Sequence, residues 1–289
     1  MLLNLNKCFL CPNNCGVDRK DKLGFCLSGD KIRIAKFYLH PFEEPIISGK
    51  NGSGTIFFCG CSLKCVFCQN YELSRNQRGK EITTLELAQI FRQLEQMGAH
   101  NINLVNPTHY CNLILESLSI YKPNIPIVYN THGYENLDVL EKIDKFIDIY
   151  LPDIKYFDKQ VSQRYSGKKD YFEKASKAIE FMANKPIIIG NDNLLKSGTI
   201  VRHLVLPSNI SDSKKIIDWF ATIKDKAYLH LMSQYTPFGE IGNFLELKRK
   251  ITKREYSAVL DYAISLNIEN MFYQNQQSAT EDYIPNWDY

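Results

Sequence analysis

Hydrophobic and polar positions follow a regular pattern from residue 54 onward, where short apolar runs alternate with amphipathic stretches of helical length. The apolar runs are rich in β-branched and aromatic residues and are nearly continuous, which is typical of parallel strands covered on both faces. The pattern predicts six βα units. The predicted strands span residues 55–59, 102–105, 125–129, 146–151, 200–206 and 228–232.

The stretches between these strands predict helices. Residues 84–97 place Leu87, Ile90, Phe91 and Leu94 on one stripe at helical spacing, and Gly98 follows as a stop signal. Similar helices are predicted near residues 110–120, 135–143, 171–184, 213–224 and 252–266.

Six βα units can curl into a barrel or open into a doubly wound sheet, and periodicity does not separate these α/β folds. Polar residues follow nearly every predicted strand directly at its C-terminal end, as in 106–109, 130–133 and 153–155. A site assembled from many successive strand ends is typical of a barrel rim. The sequence therefore favours a barrel over residues 54–273.

The two ends of the chain lack this alternation of predicted strands and helices. Residues 1–53 hold four cysteines, one strand-like run at 32–39, and Pro41 and Pro45 in an extended linker, so we expect a small Cys-rich module there. Residues 274–289 are polar with scattered aromatic residues and predict a C-terminal arm.

Composition narrows the class of protein. The 289 residues carry 35 Lys and Arg interspersed with 32 Asp and Glu, and this balance argues against nucleic acid as a partner. The first ten residues lack a basic start followed by an apolar run, and no run is long enough to cross a membrane. We therefore expect a cytoplasmic protein that does not associate with membranes.

Nine cysteines are the unusual feature of the composition. Four lie within residues 8–26, four within 59–68, and Cys111 is isolated. In a reducing compartment such clusters indicate metal-binding or catalytic thiolates rather than disulfides. Cys59 and Cys111 are expected to be buried apolar thiols.

The run Cys61, Cys65 and Cys68 follows the first predicted strand with CxxxCxxC spacing. A four-iron cluster normally takes four thiolates, so three leave one iron open to another ligand, as in a catalytic zinc site. The alternatives are a zinc loop or buried apolar cysteines.

This run resembles the cluster-binding loop of the radical S-adenosylmethionine (SAM) superfamily, and residues 68–72 resemble its glycyl-radical-activase branch. Within that superfamily the chain is similar to the PflX-like proteins, which are usually described as pyruvate formate-lyase activating enzymes. The similarity covers almost all 289 residues. It includes residues 44–49, 52–58, 98–110, 148–156, 200–207 and 231–237.

The resemblance implies a partial (β/α)6 barrel in which Cys61, Cys65 and Cys68 bind a [4Fe-4S] cluster. The open iron would bind the amino and carboxylate groups of SAM. Reductive cleavage would give methionine and a 5′-deoxyadenosyl radical that abstracts hydrogen. The implied partners are a one-electron donor, such as a flavodoxin or ferredoxin, and a glycyl-radical protein as substrate. A small-molecule, peptide or RNA substrate is the alternative, and a cluster-binding scaffold without SAM cleavage is another.

The resemblance also implies SAM contacts, with one departure from the family pattern. A Gly-Gly-Glu-type motif holds the SAM amino group in relatives, whereas residues 105–108 here offer Asn106 and Thr108, which form hydrogen bonds but supply no counter-charge. Asn130 and His132 lie in a segment that resembles the family's Thr-Asn-Gly turn; a plain glycine turn is the alternative.

Asp153 and Lys155 are two residues apart, so on an extended chain they face one side, where opposite charges can hold a zwitterion such as the methionine end of SAM. The Asp-x-Lys of the activases implies the same role, and a local ion pair of little energetic value is the alternative. His203 matches a SAM-contacting histidine of the activases, or is a hydrogen-bonded core residue in phase with Val201 and Val205.

Cys8, Cys11, Cys15 and Cys26 provide four thiolates, enough to close one tetrahedral site. A metal would cross-link a small module that has little apolar periodicity. Zinc or a rubredoxin-like iron is one interpretation, and an auxiliary iron–sulfur cluster that relays electrons is another; reduced structural thiols are the remaining alternative.

Overall fold

The computed structural model describes residues 6–76 and 78–274. The strands are β1 (Ile32–His40), β2 (Ser53–Phe58), β3 (Lys80–Ile82), β4 (Ile102–Val105), β5 (Ile127–Thr131), β6 (Ile149–Pro152), β7 (Ile188–Ile189), β8 (Leu195–Leu204), β9 (Tyr228–Met232) and β10 (Met271–Tyr273). The helices are α1 (Pro45–Ser48), α2 (Tyr71–Ser74), α3 (Thr84–Gln96), α4 (Cys111–Ile120), α5 (Leu137–Ile143), α6 (Lys159–Ser166), α7 (Tyr171–Met182), α8 (Ile210–Phe220) and α9 (Lys253–Ser265).

Seven strands form a parallel array in the order β2-β4-β5-β6-β8-β9-β10. Every residue of β2, β5 and β6 is buried, as expected for parallel strands covered on both faces. The strand order ends at β10 on one side and β3 on the other, so the array does not close. The predicted α/β fold is confirmed as a partial barrel of the TIM type.

Helices cover the sheet through apolar faces that the sequence pattern marks. Helix α3 begins at a capping box in which Thr83 and Glu86 bond each other's backbone N–H groups. Its residues Leu87, Phe91 and Leu94 are fully buried in a core that continues into β4 and β5. A second large core lies beneath α7, α8 and α9.

The segment before β2 contains β1, and this strand joins the segment to the barrel. Residues 34–40 of β1 pair antiparallel with β2, and the predicted boundary after residue 53 lies at the first residue of β2. Residues 6–31 form turns and bends, without helix or strand. Of the predicted C-terminal arm, only Gln274 lies within the described residues.

None of the helices formed by residues 6–76 and 78–274 combines the length and apolar character that crossing a membrane requires.

Candidate functional site

A cavity of about 280 Å³ opens at the C-terminal ends of the parallel strands. This is the position at which barrel folds assemble their sites, because the loops after successive strands meet at one rim. Eight residues that the sequence predicted line it: Cys61, Cys65, Cys68, Asn106, Asn130, His132, Asp153 and Lys155. Glu43 and Arg202, which were not predicted, line it as well.

The three cavity cysteines each accept a hydrogen bond. The sulfur of Cys61 accepts from the backbone N–H two residues further on at 3.4 Å. Tyr156 Oη donates to Cys65 Sγ at 3.8 Å, and Ser74 Oγ donates to Cys68 Sγ at 3.4 Å. Donors of this kind surround the thiolate ligands of iron–sulfur clusters and tune them. The donor set of the loop therefore fits a cluster bound by three thiolates.

The loop is anchored by the ends of neighbouring strands. Asn106, whose φ of +60° favours Asn or Gly, donates from Nδ2 to the carbonyl of Gly60 at 2.6 Å. His132 Nε2 contacts Ser62 Oγ at 2.6 Å, while its Nδ1 accepts from the backbone N–H of Tyr134. His132 Nε2 is therefore the protonated nitrogen, and burial lowers the pKa of this neutral ring to about 3.

A network of four charged side chains, the charged wall, forms another part of the cavity lining. Asp153 accepts from Lys155 Nζ at 2.6 Å and from Arg202 Nε at 2.9 Å. Arg202 also donates to Glu43 Oε1 at 3.1 Å and to Asn130 Oδ1 at 2.7 Å. All four charged side chains are at most 21% exposed. Two cations and two anions therefore balance inside the cavity.

Burial and neighbouring charges set the ionisation of this network. Burial opposes charge on Asp153, but Arg202 and Lys155 outweigh it and hold the pKa of Asp153 below its usual value. Burial likewise opposes charge on Lys155, yet Asp153 and Cys65 raise its pKa. Burial raises the pKa of Glu43 despite the adjacent Arg202. Asp153 and Lys155 therefore form a stable ion pair at neutral pH.

Two residues predicted to contact the cofactor do not line the cavity. Thr108 is fully buried and donates to Glu135 Oε1 at 2.6 Å. His203 donates from Nδ1 to the carbonyl of Ile154 at 2.7 Å and accepts at Nε2 from Ser213 of α8 at 2.9 Å. Side chains alternate along β8, so His203 packs toward the helix while Arg202 faces the cavity.

The sequence carries only weak signals for Glu43 and Arg202, the two lining residues that it did not predict. Arg202 is a charged residue inside the apolar run 200–206, which is unusual for a strand that is buried on both faces. Glu43 lies in the linker after β1, where no periodicity indicates which side chains turn inward.

The N-terminal cysteines lie beside the cavity loop. Cys8, Cys11 and Cys26 are buried and Cys15 is half-buried. The sulfurs of Cys15 and Cys26 lie 3.6 and 3.3 Å from the point that a Cβ on Gly24 would occupy, so they are near each other. Within residues 6–76 and 78–274, no three His, Cys, Asp or Glu side chains already surround one point as a metal site. Metal binding at either cysteine group therefore requires the cysteine side chains to rotate toward a common point.

Cys59 and Cys111 are buried outside both groups, as predicted. Cys59 Sγ donates to the carbonyl of Arg78 at 3.0 Å, and Cys111 Sγ lies 3.3 Å from Tyr129 Oη. Burial raises the pKa of each thiol to about 12. Thiols of this kind are inert at neutral pH.

Comparison with known proteins agrees with this geometry. The model of the radical SAM superfamily matches residues 55–220. The uncharacterized protein MJ0674 of Methanocaldococcus jannaschii is 31% identical over 276 residues, which cover 92% of this chain and 76% of the relative. The pyruvate formate-lyase-activating enzyme of Clostridium pasteurianum is 26% identical over 197 residues, which cover 64% of this chain and 75% of the relative.

Among solved structures, SuiB of Streptococcus suis bound to S-adenosylmethionine superposes with a TM-score of 0.51 at 15% identity. The match covers 74% of this chain but only 48% of SuiB, so the chain spans about half the length of that protein. At this identity the likeness shows the fold alone. The family implies a [4Fe-4S] cluster and SAM as cofactors, and the donors and charges of the cavity fit both. The chain belongs to the radical SAM superfamily of enzymes.

Proposed function

We propose that the chain binds a [4Fe-4S] cluster through Cys61, Cys65 and Cys68 and cleaves SAM reductively to abstract hydrogen from a substrate. The observation that carries the proposal is that all three cysteines share one cavity with the network of Asp153, Lys155, Glu43 and Arg202. When bound, a reduced cluster supplies the electron that splits SAM into methionine and a 5′-deoxyadenosyl radical.

The charged wall would hold the methionine end of SAM, which carries an ammonium and a carboxylate. Lys155 and Arg202 offer positive charge to the carboxylate, and Asp153 and Glu43 offer negative charge to the ammonium. Glu43, which also accepts from Asn103 of β4 at 2.7 Å, thus supplies a carboxylate that the segment 105–108 lacks. Asn130 bonds both Glu43 and Arg202 and would hold this ion pair in a fixed orientation.

The experiment is anaerobic reconstitution with iron and sulfide, followed by SAM and dithionite, with 5′-deoxyadenosine measured by chromatography. We expect product from the wild type, none from Cys65→Ala, and product from the matched control Cys111→Ala, whose thiol lies outside the cavity. Absence of product from the wild type, or undiminished product after Cys65→Ala, would contradict the proposal.

A glycyl-radical protein is the substrate class we favour, because a relative matched over 64% of this chain is a pyruvate formate-lyase-activating enzyme. A flavodoxin or ferredoxin would then deliver the electron. Electron paramagnetic resonance of a candidate partner, incubated with the reconstituted protein and SAM, should show a glycyl radical. If the substrate is instead a small molecule, a peptide or RNA, no glycyl-radical signal should appear in any candidate partner, although 5′-deoxyadenosine is still formed.

A cluster-binding scaffold without SAM cleavage is the second candidate function. The departure at Asn106 and Thr108 from the glutamate motif favours it. Such a protein would bind a cluster whose spectrum does not change when SAM is added.

We further propose that Cys8, Cys11, Cys15 and Cys26 bind a second metal, either zinc or an auxiliary iron–sulfur cluster. Metal analysis of a variant in which Cys61, Cys65 and Cys68 are all alanine isolates this site. One zinc per chain identifies the first form and four irons with sulfide the second. Absence of both metals would contradict a second site.

A further inference from the structure

The segment between β1 and β2 carries two adjacent glutamates that are shielded from solvent. Glu43 lines the cavity as part of the charged wall, whereas Glu44 is 4% exposed and caps the start of the four-residue helix α1. Ile47, three residues further on, lies on the same helical face as Glu44 and is buried as well, while Pro45 is exposed. Residues 43–48 therefore form a wedge with one buried face.

The buried face of the wedge enters the interior of the barrel. Ile47 belongs to a small core to which three parallel strands contribute: Val128 of β5, Leu151 of β6 and Ile200 of β8. In each strand an adjacent residue belongs instead to one of the two large cores beneath the helices. Because side chains alternate along a strand, the residues that surround Ile47 point into the barrel.

Each glutamate of the wedge accepts a hydrogen bond from a different strand. Glu43 accepts from Arg202 of β8 at 3.1 Å. His230 of β9 donates from Nδ1 to Glu44 Oε1 at 2.7 Å, and the same nitrogen lies 2.6 Å from the second carboxylate oxygen. Arg202 and His230 are direct partners in the parallel pairing of β8 and β9, so both face the barrel interior. Two consecutive carboxylates thus bridge two adjacent strands.

His230 is the polar anchor of Glu44. Among residues 6–76 and 78–274, no other group donates a hydrogen bond to the Glu44 carboxylate. A four-residue helix is too short to be stable by itself, so contacts of its side chains must hold it in place. A buried hydrogen bond to a carboxylate is strong, and its loss leaves an unpaired ion. The position of Glu44, and with it that of the adjacent Glu43, therefore depends on His230.

We propose that Glu44 and His230 are positioning residues, whose bond locks the wedge in the barrel and sets the Glu43 carboxylate where it meets the ammonium of SAM. Neither residue of the pair lines the cavity, so the pair acts through Glu43. This inference rests on the SAM site proposed above and adds the residues that hold one of its anions. A carboxylate fixed in advance gains affinity, because binding then has less left to order.

The first measurement is the affinity for SAM, by equilibrium dialysis on the reconstituted protein. His230→Leu removes the donor, whereas His230→Asn keeps one, since Asn Nδ2 is as far along its side chain as histidine Nδ1. We expect His230→Leu to weaken SAM binding roughly tenfold and His230→Asn to restore most of the loss. Thr199→Val is the matched control, because it removes a buried hydrogen bond of β8 that points to the carbonyl of Met182 in α7.

A double-mutant cycle separates positioning from a general loss of structure. If His230 acts through Glu43, His230→Leu should add less than about twofold to the loss already caused by Glu43→Gln. A merely structural defect would weaken SAM binding by the same factor with and without Glu43→Gln. If His230→Leu does not fold because the Glu44 carboxylate is left unpaired, the variant with Glu44→Met and His230→Leu removes both partners and enters the same cycle.

Amide hydrogen exchange, followed by mass spectrometry, tests the wedge in protein without a cluster. The backbone N–H groups of Ile47 and Ser48 donate to the carbonyl of Glu44 at 2.8 and 2.9 Å. Both should exchange faster in His230→Leu, because the wedge is then released. His230→Asn and Thr199→Val should keep the exchange rate of the parent at these two positions.

SAM affinity equal to the parent's in His230→Leu would overturn the inference, and so would equal losses in the two arms of the cycle. Unchanged affinity after Glu43→Gln alone would remove Glu43 as a SAM contact and the inference with it. A wild type that binds a cluster but no SAM would contradict the proposed function itself, which is a separate and earlier failure.

Discussion

The backbone N–H of Cys61 donates to the backbone carbonyl of Cys26 across 3.1 Å, so one hydrogen bond joins the two cysteine groups. A second link runs through Asn13, which donates from Nδ2 to the carbonyl of Ser62 at 2.8 Å and to Cys11 Sγ at 3.4 Å. The N-terminal segment is thus a direct support of the cavity loop.

Gly60 is the residue that permits this close approach. It has a φ of +84°, and a Cβ there would lie 2.4 Å from Ser28 Oγ and 2.5 Å from the carbonyl of Cys26. Gly167 is a matched control, because its φ is +74° but no atom lies within 4 Å of its Cβ position. Both substitutions to alanine lose the left-handed freedom of glycine, at about 1 kcal/mol.

Gly60→Ala should cost about 1–3 kcal/mol more, because it also overpacks the contact. We expect it to lower the iron bound at Cys61, Cys65 and Cys68, whereas Gly167→Ala binds a full complement. Urea unfolding and iron analysis measure the two effects. Equal losses in both variants would show that the contact between the segments does not matter.

Removal of the proposed N-terminal metal should disturb the barrel site through the same links. Replacement of Cys8 and Cys11 by serine is expected to change the electron paramagnetic resonance spectrum of the reduced cluster without abolishing it, because the three proposed ligands Cys61, Cys65 and Cys68 remain. Replacement of the isolated Cys111 by serine is the control. An identical spectrum in the Cys8 and Cys11 variant would count against any coupling.

From the charged wall we predict that Glu43 contributes to the affinity for SAM. Glu43→Gln keeps the shape of the side chain but removes one of the two anions, so SAM should bind roughly tenfold more weakly, about 1.4 kcal/mol. Equilibrium dialysis on the reconstituted protein measures this directly. Glu81→Gln, which removes a carboxylate from a surface pair with Arg33, should bind SAM normally. Unchanged affinity in Glu43→Gln would exclude Glu43 as a SAM contact.

The residues that line the cavity show which parts of the site can be predicted from the sequence. Asn130, His132, Asp153 and Lys155 are predicted from the sequence because each lies at or just beyond the C-terminal end of a buried strand, and such residues meet at one rim. Glu43 was not found because its bond to Arg202 joins positions 159 apart, and no local pattern encodes such a contact.

The strength of the local apolar pattern separates the elements that the sequence predicts from those that it does not. Five of the six predicted strands begin within three residues of the observed ones, because continuous apolar runs mark buried parallel strands. The sixth, β8, begins at Leu195, five residues early, since its first part pairs with β7. Helix α6 was missed because its sequence is mostly polar, and β10 because it has three residues.

Glu135 predicts a pH dependence of stability. It is buried and accepts hydrogen bonds from Thr108, Thr131 and Tyr129, but burial outweighs them and raises its pKa to about 7. The folded state therefore binds a proton that the unfolded state releases near pH 4.5. Stability from this group is complete below pH 4.5 and is lost as pH rises to about 7.

The loss amounts to about 3 kcal/mol at most. Glu135→Gln should remove this fall, so that its free energy of unfolding changes less than that of the wild type between pH 4.5 and 7. Urea unfolding across this range provides the measurement. Parallel pH profiles of the two proteins would show that Glu135 is ionised in the folded state.

Tyr156 predicts a shift in reduction potential. Its hydroxyl is fully buried and donates to Cys65 Sγ, and a donor to a cluster sulfur stabilises the reduced state more because that state carries more negative charge. Tyr156→Phe should therefore lower the potential of the cluster by on the order of 40 mV, the equivalent of a hydrogen bond of about 1 kcal/mol in a one-electron couple.

A redox titration followed by electron paramagnetic resonance measures the shift. Tyr165→Phe is the matched control. The ring centres of Tyr165 and Tyr156 are 6.1 Å apart in the same aromatic group, but the Tyr165 hydroxyl donates to Glu246 instead of a sulfur. The control should leave the potential unchanged. A potential that stays constant in Tyr156→Phe, or moves equally in both variants, would mean that the hydroxyl of Tyr156 packs against Cys65 without tuning the cluster.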